Sequence, residues 1–328
     1  MKLKIITAFI FITILLFTTA CIDNNALEIT GSEYLGQNPP GDSAEVFAPG
    51  IVSTGMNERD LAISPEGDEI YFTVRFGGSA AIVETHIEND KWIDPEVAWF
   101  SGEFMDIEPF IAPDGKTFYF VSERPIEGGE KPSENTNIWF MKKTEEGWSK
   151  PLPLGEPVNG NGNVYYPTVA KSGNLYFTRR MEDGTEYIYR AKYKDGKFDK
   201  PERLPENVNT TNSQFNAYIS PDEDFLIIPV YGRDDSFGSS DYYISYRDSS
   251  DNWSELVNLG EKVNSPFAEY TPSLSPDGKY FFFQQNSAPV KFYNKPVTYE
   301  AIQKIHNNPA NTNTDIYWIK ADFLRELK

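Results

Sequence analysis

A four-residue mark recurs five times along the chain, and it limits the fold more than any other feature. It reads Ser64-Pro-Glu-Gly67, Ala112-Pro-Asp-Gly115, Ala170-Lys-Ser-Gly173, Ser220-Pro-Asp-Glu223 and Ser275-Pro-Asp-Gly278. The second positions (65, 113, 171, 221 and 276) lie 48, 58, 50 and 55 residues apart. Proline fixes φ at the first corner of a turn and glycine admits positive φ at the last, so each mark predicts a tight turn between two strands. Units of this length cannot bury their apolar faces alone and must stack on their neighbours.

The second unit, 104–157, shows what lies between the marks. Two apolar runs, Glu108-Pro-Phe-Ile-Ala112 and Thr117-Phe-Tyr-Phe-Val121, flank the turn. A polar loop leads to Asn137-Ile-Trp-Phe-Met-Lys142, then to the turn Thr144-Glu-Glu-Gly147 and to Trp148-Ser-Lys-Pro-Leu-Pro-Leu154. This is a four-stranded meander. The fourth-strand pattern returns as Trp92-Ile-Asp-Pro95, Phe198-Asp-Lys-Pro201 and Trp253-Ser-Glu-Leu256. The link to the next unit returns as Leu154-Gly-Glu-Pro-Val-Asn159, Leu204-Pro-Glu-Asn-Val-Asn209 and Leu259-Gly-Glu-Lys-Val-Asn264. Five four-stranded antiparallel units predict an all-β, five-bladed propeller.

Ser275-Pro-Asp-Gly-Lys279 with Asp315-Ile-Tyr-Trp318, and Pro113-Asp-Gly-Lys116 with Asn137-Ile-Trp139, resemble the WD40-like propeller repeat of the TolB type. The resemblance spans roughly residues 44 to 320 in five copies. The third and fourth copies depart from it, with Lys171 for proline and Glu223 for glycine. It implies a propeller with a binding role and carries no catalytic residues to transfer.

At the N-terminus, Lys2 and Lys4 precede an apolar run from Ile5 to Phe17 and then Thr18-Thr-Ala-Cys21, the pattern of an export signal over residues 1–20. Small residues before the chain's single cysteine resemble the bacterial lipoprotein cleavage box, which makes Cys21 a lipidation site; the other reading is an ordinary signal cut near Ala20. Lipidation implies a lipoprotein of the cell membrane or outer membrane, periplasmic or surface-facing. Residues 21–43 are polar and rich in Gly, Pro and Asn, and read as a tether before a domain over 44–328. Ala44-Glu-Val-Phe47 resembles a fourth strand without its first three, and the fifth unit lacks a fourth strand. The N-terminal strand is therefore expected to complete the last blade and shut the ring.

In a four-stranded meander the loop entering the first strand and the loop between the second and third strands share one end. The long loops, 122–136, 231–240 and 285–314, all fall there, and loops of that size usually carry function. In the last, Tyr299, Ile302 and Ile305 at helical spacing before Pro309 predict a short helix. Aligned on the turns, Glu58, Asp106, Val164, Gln214 and Glu269 stand six residues before each turn's first residue, and Asp60, Glu108, Tyr166, Asn216 and Thr271 stand four before it. If the innermost strands line a channel, these residues form an acidic and polar funnel, with Arg75, Arg124, Arg179, Arg180 and Arg233 just after the second strands. One reading is a ring of salt bridges between blades. The other is a site for a polar ligand such as a peptide or saccharide.

Other chemistry finds less support. Two histidines, His86 and His306, do not make a zinc site or a histidine-based triad. Asp234, Asp235 and Asp241 suit calcium in donor type, but their run lacks EF-hand spacing and reads as a solvated acidic loop; no other cofactor is expected. A net charge of -19 without a basic stripe disfavours nucleic acid. Two functions from different classes remain. One is a non-enzymatic, lipid-anchored envelope propeller whose long-loop face and funnel bind a protein, peptide or glycan partner. The other is a glycosidase or lyase working through funnel carboxylates such as Asp106 and Glu108.

Overall fold

The computed structural model describes residues 33–160, 162–287 and 297–328. Cys21, the export signal and the tether before Glu33 lie outside the described residues, as does the 288–296 part of the last long loop.

Five antiparallel sheets follow one another along the chain as propeller blades. Blade 1 runs Glu58–Ile63, Glu69–Phe76, Ser79–Glu88, Glu96–Val97. Blade 2 runs Asp106–Ile111, Thr117–Ser122, Asn137–Thr144, Leu152–Pro153. Blade 3 runs Asn163–Val169, Leu175–Arg180, Glu186–Ala191, Glu202–Arg203, and blade 4 runs Tyr218–Ile219, Phe225–Tyr231, Ser240–Tyr246, Val257–Asn258. Blade 5 takes Ser273–Leu274, Tyr280–Asn286 and Thr314–Lys320 from the end of the chain and Glu45–Val46 from its beginning. Glu45 lies opposite Trp318 and Val46 opposite Tyr317, so the expected closure is present.

Period-2 alternation sends one side of each sheet to the blade before and the other to the blade after. At the closing seam Phe47, Phe282, Ile316 and Trp318 of blade 5 share a cluster with Leu61, Ile70 and Phe72 of blade 1. Phe47 sits edge-on to Phe282 at 5.0 Å and to Trp318 at 5.2 Å. The packed domain begins before residue 44. Leu35 is buried in the same cluster, the Tyr34 ring lies 5.2 Å from Trp318, and the Gln37 side chain donates to the Val46 carbonyl at 3.0 Å.

The outermost strands fall one step later than the Trp-x-x-Pro pattern suggests. Trp92 pairs with Ile87 as the end of a hairpin, and the outer ladder resumes at Glu96 and Val97, past Pro95. Proline has no N–H for the ladder, which explains the interruption. Glu223 in the fourth turn does not break that turn either. It takes the glycine conformation (φ 55°), and its carboxylate accepts from Ser172, Asn174 and Tyr176 of blade 3, which ties the two blades together.

The expected helix is α1, Tyr299–His306, with the Thr298 hydroxyl accepting from the Ala301 N–H at 3.2 Å. Its C-terminal end rests on Gly55 in the loop entering blade 1, where an added Cβ would stand 2.1 Å from the His306 carbonyl oxygen. Asn311 and Asn313 both donate to the Gly55 carbonyl at 2.9 Å. A second short helix, α2 (Phe323–Glu326), packs under blades 4 and 5. Among the described residues no helix is long and apolar enough to cross a membrane.

Candidate functional site

The ten aligned inner-strand positions separate into two sets. The outer set does not converge on the axis. Glu58 is fully buried and accepts from the N–H and hydroxyl of Thr54, and Glu269 accepts in the same way from Ser265. Gln214 accepts from the Thr211 N–H at 2.9 Å and donates to the Glu186 carbonyl at 2.6 Å. Asp106 accepts from Arg124 at 2.9 Å and 3.0 Å. Each of these side chains fastens the corner where the chain enters its own blade.

The inner set does converge. The first-strand ladders slip between Arg59 and Ala62, Ile107 and Phe110, and Tyr165 and Thr168. Asp60, Glu108, Tyr166 and Asn216 take positive φ values of 59°, 58°, 52° and 50°. Left-handed backbone in non-glycine residues is costly and survives only where neighbours enforce it. Here the N–H of each left-handed residue is held across a blade boundary. Glu108 donates to the Thr73 hydroxyl at 3.1 Å and Asn216 to the Thr178 hydroxyl at 2.9 Å. Where the second strand of blade 2 has Val121 in place of threonine, the Glu108 carboxylate reaches forward to the Tyr166 N–H at 2.6 Å. At the closing seam Thr271 of blade 5 accepts from the Asp60 N–H at 3.4 Å.

Arg59 completes this belt. Its guanidinium donates to Asp60 at 2.8 Å and crosses to Glu108 of blade 2 at 3.1 Å. Burial and the Asp60 carboxylate push Glu108 above its usual range, with Arg59 pulling the other way. The Tyr166 hydroxyl spans the axis to the Pro272 carbonyl at 2.8 Å. The channel is therefore plugged at this level, and the adjoining void is only about 10 Å3. Among the described residues, charge pairs between blades include Arg59–Glu108, Lys143–Glu69, Lys171–Asp222 and Arg190–Asp251, and do not run through the arginines after the second strands. Of those, Arg124 pairs inside blade 2, Arg233 pairs with Asp235, Arg179 donates to the Val158 carbonyl, and Arg75 and Arg180 are exposed. Arg59 was missed because the alignment passed over position 59. The signal was present: it is the one cation between two aligned acidic positions.

Buried carboxyls at the blade corners make stability depend on pH. Burial raises Glu58 to about 7 with Asp315 adding to it, raises Glu269 to about 8 with Asp241 adding to it, and raises Asp315 to about 6. Among the described residues Glu58 Oε2, Glu269 Oε2 and Asp315 Oδ1 have no hydrogen-bond partner, so a charge on these oxygens would be poorly solvated. Because these folded-state values exceed the unfolded ones, their contribution is complete below about pH 4 and is lost as pH rises through 6 to 8. Each tenfold change in proton affinity is worth about 1.4 kcal/mol. The melting temperature is expected to fall by at least about 5 °C between pH 5 and pH 8.5, and Glu269→Gln should flatten that slope in a calorimetric pH series.

The calcium reading gains no ligand set. Asp241 accepts from the N–H groups of Phe237 and Gly238, and Asp235 is held by Arg233 and the Tyr243 hydroxyl. Among the described residues no group of three or more His, Cys, Asp or Glu is placed to hold a metal ion.

Exposed large apolar side chains gather on the long-loop face. Every blade contributes from the end of its second strand or the loop that follows: Phe76 (55% exposed), Ile126 (47%), Met181 (41%), Tyr231 (55%), and Tyr299 (75%) with Ile302 on α1. Met56 and Phe237 add to the same face. The opposite face, where the five turns meet, holds a cavity of about 700 Å3.

The sequence matches no family model, and no curated protein matches it. Solved structures do match. The catalytic domain of the GH62 α-L-arabinofuranosidase of Coprinopsis cinerea is similar at TM-score 0.50 and 11% identity, over 87% of this chain and 98% of that one. The α-L-arabinofuranosidase PaAbf62A of Podospora anserina, solved with cellotriose, is similar at TM-score 0.45 and 12% identity, over 89% and 94%. TolB of Acinetobacter baumannii is similar at TM-score 0.49 and 14% identity; 81% of this chain is covered, but only 57% of that one. At such identities the likeness is one of architecture: the chain is a five-bladed β-propeller.

Proposed function

We propose that the chain is an exported, lipid-anchored envelope propeller that docks a protein partner on its long-loop face and has no catalytic centre in its channel. The observation that carries this is the circle of exposed apolar side chains, one or more from every blade, on one face. Single exposed apolar residues are ordinary, but a set repeated around one rim marks an interaction surface. A net charge of -19 adds long-range attraction for a basic partner. Anchoring through Cys21 and location in the envelope rest on the sequence pattern.

Phe76→Ser with Tyr231→Ser is the direct test. Both residues are exposed, so the melting temperature should hold while recovery of the cross-linked partner from membranes falls at least about tenfold. Unchanged recovery would overturn the reading.

One observation favours a glycan-active enzyme as a second reading. Glu108, pushed up by burial, lies in the same ion cluster as Asp60, and glycoside hydrolysis uses a pair of carboxyls of which one is a raised acid. Both are buried and bound to Arg59, so substrate could reach them only if the belt opened. Turnover of an envelope glycan that is abolished by Asp60→Asn with Glu108→Gln would establish it.

A further inference from the structure

The turn-face cavity is not used by loop-face docking, and its walls have a direction. Leu61 and Ile63 of blade 1, Phe110 of blade 2 and Leu274 of blade 5 line it. Toward the axis it ends at Leu61, Phe110 and Tyr218, beyond which only the small void remains. The remaining wall is the α2 segment. Ala321, Leu324, Arg325 and Lys328 line the cavity at i, i+3, i+4 and i+7, and Ala321 and Leu324 also join Phe323 and Leu327 in the core cluster of blades 4 and 5. The Tyr246 hydroxyl fixes this wall by donating to the Leu324 carbonyl at 2.6 Å.

Three aspartates, Asp222, Asp224 and Asp277, and three cations, Lys171, Arg325 and Lys328, line the cavity, and they differ in how they are paired. Asp222 is paired with Lys171 at 2.9 Å and Asp277 with Lys279 at 2.7 Å. Asp224 accepts from the Ser220 hydroxyl at 2.7 Å. Arg325 and Lys328 are exposed and, among the described residues, have no carboxylate within 4.0 Å. Two cations without a carboxylate in ion-pair contact therefore stand beside the cavity's apolar wall; Arg325 acts on Asp322 at longer range, and Lys328 Nζ lies 5.8 Å from the centre of the Tyr246 ring. A volume of about 700 Å3 lies within the usual range for small-molecule sites, which bury an apolar body and hold it by a few polar groups.

We propose that this cavity binds a single-chain aliphatic carboxylate, with the alkyl chain against Leu61, Ile63, Phe110, Leu274 and Leu324 and the headgroup on Arg325 and Lys328. The assignment stands on the face opposite the docking surface, so its failure would leave the proposed function untouched, and the reverse holds too.

The test is calorimetric titration of the full chain with octanoate, dodecanoate and dodecanol. Burying each added methylene tightens binding about threefold to fourfold, so dodecanoate should bind at least about tenfold more tightly than octanoate. Arg325→Glu with Lys328→Glu should weaken dodecanoate about tenfold, leave dodecanol unchanged and leave the melting temperature in place. Leu274→Trp, which fills the cavity, should remove both ligands. Absence of saturable dodecanoate binding would overturn the proposal, as would binding indifferent to both the charge reversal and the filled cavity.

Discussion

Phe47→Ala is expected to destabilise the protein by about 3–5 kcal/mol, the range for truncating a fully buried aromatic side chain. Phe47 lies near the start of the described residues, and its ring contacts are with Phe282 and Trp318 of the last blade. The loss should act on ring closure more than on the interior of any one sheet. Glu45 and Val46 make a two-residue ladder, too short to hold the seam without the ring that follows them. Native-state hydrogen exchange on the variant should show protection lost first along Thr314–Lys320 and Glu58–Ile63, the strands on either side of the seam. Uniform loss across all five blades would mean that closure is not a separable step.

Arg59→Met should cost a similar amount, about 3–5 kcal/mol, for a different reason. The methionine fills much of the same space, but Asp60 and Glu108 are left buried beside one another without their shared cation. Adding Asp60→Asn and Glu108→Gln should recover much of the loss, because the cost lies in the uncompensated charge and not in the missing contact. A denaturant series on the unaltered protein, Arg59→Met and the triple variant measures this. If the triple variant is no more stable than Arg59→Met, the belt's hydrogen bonds, and not its charges, hold the inner strands.

The repeat made the architecture readable in advance because turn chemistry is local. Pro-Asp-Gly at positions 113–115 or 276–278 needs nothing from the rest of the chain to specify a turn. Closure was readable for a similar reason, since an orphan fourth strand near Phe47 and a missing one after Lys320 imply each other. The interior of the channel was only half readable. Positions 60, 108, 166, 216 and 271 do line the axis, but the left-handed backbone of the first four is held by partners such as Thr73 and Thr178, which come from neighbouring blades at separations that periodicity does not report. The set at 58, 106, 214 and 269 looked equivalent in the alignment and is not. A two-residue step across the bulge turns those side chains away from the axis and into their own corners. The apolar circle escaped notice because Phe76, Ile126, Met181 and Tyr231 fall at different distances from their turns, and only the folded ring brings them to one rim.

The most direct measurement is site-specific photo-cross-linking in living cells, with the probe placed in turn at Phe76, Ile126 and Tyr231 on the loop face, at Leu152 on the outer edge and at Tyr193 on the turn face. All five positions are exposed, so reactivity does not favour one face. The expected result is one and the same partner cross-linked from the three loop positions and from neither of the others. A partner captured mainly from Tyr193 or Leu152, with the loop positions silent, would contradict it.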